Sequence, residues 1–137
     1  LVKTSRQGNF LTTAGLKKFS GLSRKIGGLA GVGGCELTFG KQAHAILVRK
    51  GGKQAGNGVA ERDAALKQGC DGATLLVACK GELVFPDFSS AKKFLSEKTR
   101  KEINGKLKPV DGDVIILCYG GSELSKKRGA WAAALSI

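Results

Sequence analysis

Two short apolar runs constrain the fold of this chain more than any other feature of its sequence. Ala73–Cys79 and Val114–Tyr119 carry no charge, have the length of a strand, and are bounded by Gly, Asp or Lys. Such runs predict strands in the buried part of a sheet. Neither approaches the roughly 20 apolar residues of a membrane-spanning helix, so no transmembrane segment is expected. The 137 residues are enough for one domain with a modest core.

From His44 onward, strand patterns alternate with helix patterns. Two further strands are expected over Ala45–Val48 and Leu83–Phe85. Three helices are predicted: Val59–Gln68, then Ser89 or Ser90 to about Leu107 with Ser96 as a second possible cap, and a last one from Ser122 into Ala132–Leu135. These elements lack the length of a doubly wound sheet, so the pattern favours the α+β class.

The chain carries a large excess of positive charge. It has 23 Lys and Arg against 11 Asp and Glu, a formal net charge of +12. Residues 1–43 hold seven basic residues and one acid, whereas residues 44–137 hold 16 and 10 over about twice the length. This excess favours an anionic partner, such as nucleic acid, an acidic protein surface or a lipid face. The alternative is a generally basic surface that keeps the protein in solution.

Residues 1–43 also hold nine of the 21 glycines, which make a segment costly to order. We therefore predict an extended basic N-terminal arm over 1–43, ordered by a partner, and a folded domain over 44–137. Phe19, Leu22, Ile26 and Leu29 recur at helical spacing, which predicts a basic amphipathic helix packed on its own domain or on a partner. The arm residues expected to contact the partner are Lys3, Arg6, Lys17, Lys18, Phe19, Arg24, Lys25 and Lys41.

A glycine-rich loop separates a predicted strand from a predicted helix, where backbone N–H groups commonly bind phosphate. Gly51 and Gly56 have P-loop spacing, but Asn57-Gly58 stands where that motif requires Lys followed by Ser or Thr. A plain flexible turn is therefore the favoured interpretation. The weak candidates for anion binding are Gly51, Gly52, Lys53, Gly56 and Gly58, with Gly120-Gly121-Ser122 as an equally weak second site.

No catalytic or metal-binding constellation stands out. His44 is the single histidine, and at a strand edge it is more often structural. None of the four cysteines, at positions 35, 70, 79 and 118, has C-x-x-C spacing, so no zinc, other metal or cofactor is expected. Cys79 and Cys118 end apolar runs and are predicted to be buried free thiols. We expect a protein that is not an enzyme.

The chain from about residue 44 resembles the GAD domain, an insertion domain of bacterial-type aspartyl-tRNA synthetases that also occurs in a tRNA-dependent amidotransferase subunit. The resemblance is carried by Cys70–Val77, the Ala-Lys-Lys-Phe-Leu-Ser of 91–96, Pro109–Leu117 and Gly129–Leu135. It implies a two-layer sandwich, with helices on one face of a mostly antiparallel sheet. The synthetase's catalytic motifs are absent, and Cys118-Tyr119-Gly120-Gly121 replaces the family's Phe-Gly-Ala-Asp.

Three functions fit these features. The first is a structural or adaptor subunit of an RNA-rich assembly such as an organellar ribosome, with the arm neutralising phosphates. The second is a linker or accessory subunit of a plastid or mitochondrial complex, such as a light-harvesting antenna, that binds acidic protein surfaces. The third is a fragment or relative of a tRNA-charging enzyme. The sequence has no methionine and starts at Leu1, which is expected after removal of an organelle-targeting peptide.

Overall fold

Both apolar runs lie in the interior of a five-stranded sheet. The computed structural model describes residues 2–5, 8–11, 25–53 and 56–137, with side chains from residue 25 onward except that of Lys53. Its strands are β1 (Val2–Ser5), β2 (Gly8–Leu11), β3 (Ile26–Val32), β4 (Ala43–Val48), β5 (Gly72–Cys79), β6 (Glu82–Val84) and β7 (Val114–Tyr119). Its helices are α1 (Val59–Lys67), α2 (Glu97–Leu107) and α3 (Glu123–Leu135), with short 3-10 turns at Glu36–Thr38 and Gly51–Lys53. In these ranges no helix is both long and apolar enough to cross a bilayer.

The strand order in the large sheet is β3-β4-β7-β5-β6, and every neighbouring pair is antiparallel. Strands β1 and β2 pair antiparallel in a second, two-stranded sheet. Every residue of β4 and β7 is buried. The prediction of an α+β fold with an antiparallel sheet is confirmed.

Helices cover both faces of this sheet, so the expected two-layer arrangement is corrected to three layers. On one face, Ile103 of α2 packs with Ile115 of β7. On the other face, Ala65 of α1 and Ala130 of α3 pack with Ile116. The physical reason is the sequence of β7 itself, because a strand that is apolar at every position needs cover on both sides.

Strand β3 lies inside the segment that was expected to be the arm. It pairs with β4 from Ile26 opposite Val48 to Val32 opposite Ala43. The predicted domain boundary at residue 44 is therefore wrong, since the sheet includes residues from 26 onward. The predicted helix is also wrong where it reaches Ile26, because the glycines of β3 disfavour a helix and let the strand pack closely. A Cβ at Gly27 would overlap the Leu47 side chain.

The helix ends follow local signals. Ser122 begins α3 and accepts a hydrogen bond from the Ser125 N–H at 3.0 Å, as predicted. For α2 the cap is Ser96, which accepts from the Thr99 N–H at 3.1 Å. The alternative start at Ser89 or Ser90 is wrong, because Ser90 forms a β-bridge with Val84 and the chain turns between them.

Candidate anion-binding groove

The C-terminal end of α2 lies beside the start of β3 and the end of β4, and together they enclose a groove of about 520 Å³. We call this the basic groove. Four cations line it, and its floor is apolar: Arg49, Lys50, Lys106 and Lys108 surround Leu47 and Leu107. All four cations are exposed, whereas both leucines are buried. A concave basic surface with a low-dielectric floor focuses positive potential toward its mouth.

Three of these cations are available for a ligand. Within residues 25–53 and 56–137, Arg49, Lys50 and Lys108 make no ion pair. Lys106 is partly engaged, because its Nζ donates to the Gly31 carbonyl at 2.7 Å and lies 3.5 Å from a carboxylate oxygen of α2. A cation at the C-terminal end of a helix also stabilises that helix, so Lys106 has a structural role as well.

Among the described residues that line the groove, Asp113 is the one acid, and it forms no ion pair with these cations. It is only 2% exposed, and both carboxylate oxygens accept hydrogen bonds from backbone N–H groups. Oδ1 accepts from Lys50 at 3.0 Å, and Oδ2 accepts from Val110 at 2.9 Å. Asp113 therefore fixes the loop that carries Lys50 against the loop that follows Lys108.

Two of the lysines have backbone conformations that favour glycine. Lys50 has φ 53° and Lys108 has φ 50°, both in the left-handed region. Lys108 is the C-cap of α2, and its N–H donates to the Asn104 carbonyl at 3.2 Å. Glycine is the usual residue for such a position. The same strain occurs at exposed Lys80, φ 51°, which lies outside the groove and provides an internal comparison.

Of the arm residues predicted to contact a partner, the structure describes the side chains of Lys25 and Lys41, and it places these two apart. Lys41 is paired with Asp71, and Lys25 Nζ donates to the backbone oxygen of Ile137. The backbone of Lys25 does reach the groove, since its carbonyl accepts from the Arg49 N–H at 2.6 Å. The remaining predictions concern side chains outside the described residues: Lys3, Arg6, Lys17, Lys18, Phe19 and Arg24.

Among the described glycine-loop candidates, Gly51 and Gly52 are engaged in packing and hydrogen bonding. Gly51 is buried, and a Cβ there would lie 3.0 Å from the Val48 side chain. The Gly52 N–H is occupied, because it donates to the Gly112 carbonyl at 3.0 Å. Gly58, with φ 87°, is the N-cap of α1. Gly56 is exposed, and the side chain of Lys53 lies outside the described residues.

His44 belongs to a polar cluster at the other end of β4. Its Nε2 lies 2.8 Å from one carboxylate oxygen of Glu123, and Lys126 Nζ donates to the other at 2.6 Å. The hydrogen bond from Lys126, followed by that with His44, lowers the pKa of Glu123 to about 2. Both carboxylate oxygens are thus occupied, which fits the expected structural role of His44.

The cysteines lie apart from the groove. Cys118 is buried and Cys79 is half-buried, in the neighbouring strands β7 and β5. Burial raises the pKa of the Cys118 thiol. In the part of the chain that the structure describes, no cluster of three metal-ligating side chains occurs.

Sequence reasoning missed the groove cations, although one signal was available. Residues 92–108 hold seven basic residues and two acids, a denser excess than the arm has. That count identifies α2 and its flanks as basic. It does not identify Arg49 and Lys50, which are distant in sequence and join the groove only through the fold.

Comparison with known proteins assigns the chain to a family. The model of a family described as "Domain of unknown function (DUF4443)" matches residues 39–137. The chain belongs to this family. All four groove cations lie within the matched region.

A solved structure, "Hypothetical protein PH0730 from Pyrococcus horikoshii OT3", is similar to this chain at 25% identity with a TM-score of 0.59. The similarity covers 97% of this chain and 66% of that protein. The chain therefore spans just under two thirds of the length of its structural neighbour. No curated protein matches the sequence.

Proposed function

We propose that this protein is a non-catalytic nucleic-acid-binding subunit of a larger assembly, and that the basic groove holds phosphates of RNA. The observation that carries the proposal is a set of three cations, Arg49, Lys50 and Lys108, that form no ion pair with any described residue and surround an apolar floor. Lysine and arginine are the side chains that proteins use to bind phosphate oxygens.

The geometry of the groove indicates a binding site for an anion rather than a basic surface that is only solvated. Two unit charges 4 Å apart interact by about 1 kcal/mol in bulk water and by about 4 kcal/mol near a partly dry protein surface. Leu47 and Leu107 make the floor apolar, so a phosphate in the groove would interact with its cations more strongly than in bulk water. Arg49 and Lys50 follow a strand, so stabilisation of a helix end does not account for their presence there.

Two lysines hold left-handed backbone in this groove. Such residues cost stability and cluster at functional sites, although Lys80 shows that they also occur elsewhere in this protein. Asp113 holds the two loops together, so the backbone that carries Lys50 and the loop after Lys108 are fixed before a ligand arrives. Preorganisation of this kind lowers the entropic cost of binding.

The proposal includes the basic residues that precede β3 in the sequence. Lys25 lies at the edge of the groove, and the preceding residues carry Lys17, Lys18 and Arg24. The predicted contact of these cations with phosphates is part of the same proposal. The resemblance to the GAD domain of tRNA-associated enzymes stays a prediction that fits an RNA partner by analogy.

The experiment compares two triple variants that remove equal charge. One changes Arg49, Lys50 and Lys108 to Gln. The control changes three exposed cations outside the groove to Gln: Lys67, Lys80 and Lys127. Binding of a fluorescein-labelled RNA is measured by anisotropy at several salt concentrations.

The groove variant is expected to bind more weakly, and its slope of log K against log salt should be shallower by about 2, at roughly 0.7 per lost contact with a single strand. The control should keep the slope of the unmodified protein. Equal losses in both variants would show that net charge alone drives binding. A shallow slope in the unmodified protein, together with tight binding of an acidic protein, would favour a protein scaffold and contradict the proposal.

A further inference from the structure

A second cavity, of about 560 Å³, opens beside the basic groove and shares Lys50 with it. We call this the apolar cleft. Its walls include Val77, Ala78 and Cys79 of β5, together with Phe88 and Gly112. A cavity of this size accommodates a small organic group such as a nucleobase.

One turn separates the cleft from the groove and forms a wall of both. Val110 and Asp113 line the groove, whereas Asp111 and Gly112 line the cleft. Backbone hydrogen bonds hold this turn against β5, because Gly112 N–H donates to the Ala78 carbonyl at 2.9 Å and Ala78 N–H donates to the Asp113 carbonyl at 2.8 Å. The two cavities are therefore fixed relative to each other.

Phe88 presents an aromatic ring to solvent from a constrained loop. It is 70% exposed and has φ 65°, a left-handed conformation that a bulky residue rarely adopts. Its N–H donates to the Phe85 carbonyl at 2.8 Å, and Asp87 accepts from the Ser89 N–H at 2.9 Å. The loop thus holds the ring outside the core, where its π-face is open to a stacking partner.

We propose that the apolar cleft holds one unpaired base of a single-stranded RNA, stacked on Phe88, while the adjoining phosphate lies on Lys50 and the strand continues into the basic groove. This inference rests on the proposed function and deepens it, because it selects single-stranded over duplex ligand. The supporting observation is that the two cavities meet at Lys50. The basic groove fits a phosphate, and the apolar cleft fits a base. An aromatic platform next to a basic channel is how proteins bind single strands without sequence preference. In a duplex the bases are stacked and paired, so none would be free to enter.

The test uses the full chain with Phe88→Ala and, as a matched control, Phe39→Ala. Phe39 is 78% exposed and also left-handed, with φ 51°, but does not line the cleft. The probes are a 12-nucleotide oligouridylate, the same strand with abasic riboses, an RNA duplex of equal length, and free uridine monophosphate. Loss of one stacked base corresponds to a roughly 5- to 150-fold loss of affinity.

Phe88→Ala should weaken binding of the oligouridylate by that factor, leave duplex binding unchanged, and show no further loss with the abasic strand. Phe39→Ala should bind as the unmodified protein does, and Phe88→Trp should retain full affinity because the stacking surface is kept.

If Phe88→Ala binds the oligouridylate normally while the triple groove variant does not, the cleft proposal is refuted and the groove proposal stands. Equal affinity of the unmodified protein for native and abasic strands also refutes it. If free uridine monophosphate binds as tightly as the oligonucleotide, the single-strand proposal is refuted and the ligand is a mononucleotide. If the unmodified protein binds none of these probes, the proposed function fails first.

Discussion

Replacing Lys108 separates the stability of the fold from its ability to bind an anion. In the left-handed region a residue with a Cβ is strained by about 1–2 kcal/mol, and glycine is not. Glycine in turn loses about 0.5–1 kcal/mol more backbone entropy on folding than alanine. Since Lys108 has φ 50°, Lys108→Gly should be more stable than Lys108→Ala by about 0.5–1 kcal/mol.

The Gly-to-Ala comparison removes the lysine side chain from both variants, so its charge and its interaction with the helix dipole cancel. The difference should appear as a change of midpoint in urea unfolding followed by far-UV circular dichroism, without a change in m. In thermal unfolding it should correspond to about 2–6 °C for a chain of this size. The pair Lys80→Gly and Lys80→Ala, at φ 51°, should show the same stability difference.

Substitutions at Lys108 and Lys80 should have the same effect on stability but different effects on RNA binding. Both Lys108 variants should lose one phosphate contact, with a salt slope shallower by about 0.7 on single-stranded RNA. Both Lys80 variants should bind as the unmodified protein does. A Gly variant less stable than the Ala variant at residue 108 would refute the strain argument, and equal binding losses at the two sites would refute the assignment to the groove.

Three further predictions concern the domain. Ile115→Ala and Ile116→Ala should each destabilise by about 2–5 kcal/mol in urea unfolding, because both sheet faces are covered; a change below 1 kcal/mol at either residue would contradict the three-layer arrangement. The hydrogen bond from Lys126 lowers the pKa of Glu123 in the folded state to about 2, so Glu123 contributes to the free energy of unfolding above its unfolded pKa and loses that contribution as pH falls toward about 2. The stability difference between the unmodified protein and Glu123→Gln should therefore shrink between about pH 4.5 and 2. A difference that does not depend on pH would contradict the ion pair. Burial raises the pKa of the Cys118 thiol, so it should resist alkylation at pH 8 until the protein is unfolded, as followed by mass spectrometry; rapid labelling of the native protein would contradict its burial.

Several elements could be predicted because their signals are local. Strands β5 and β7 are continuous apolar runs, and α3 begins at Ser122 because a serine hydroxyl can satisfy a free N–H of the first turn. Strand β3 could not be recognised in this way. Its glycine-rich sequence has weak preference for any element, and it becomes a strand because β4 offers an unpaired edge.

The sequence by itself determined the α+β class, the central strands and the excess of positive charge. Periodicity and helix caps depend on residues that are close together in the sequence, and net charge depends on composition alone. Only the tertiary structure decided which charges act together. Arg49 and Lys50 end a strand, and Lys108 ends a helix more than 50 residues later. The buried carboxylate of Asp113 brings these loops together through hydrogen bonds to their backbone, and burial of Leu47 and Leu107 makes the surface between them concave. Concavity depends on such long-range packing, and packing is a property of the folded chain that no local pattern of residues contains.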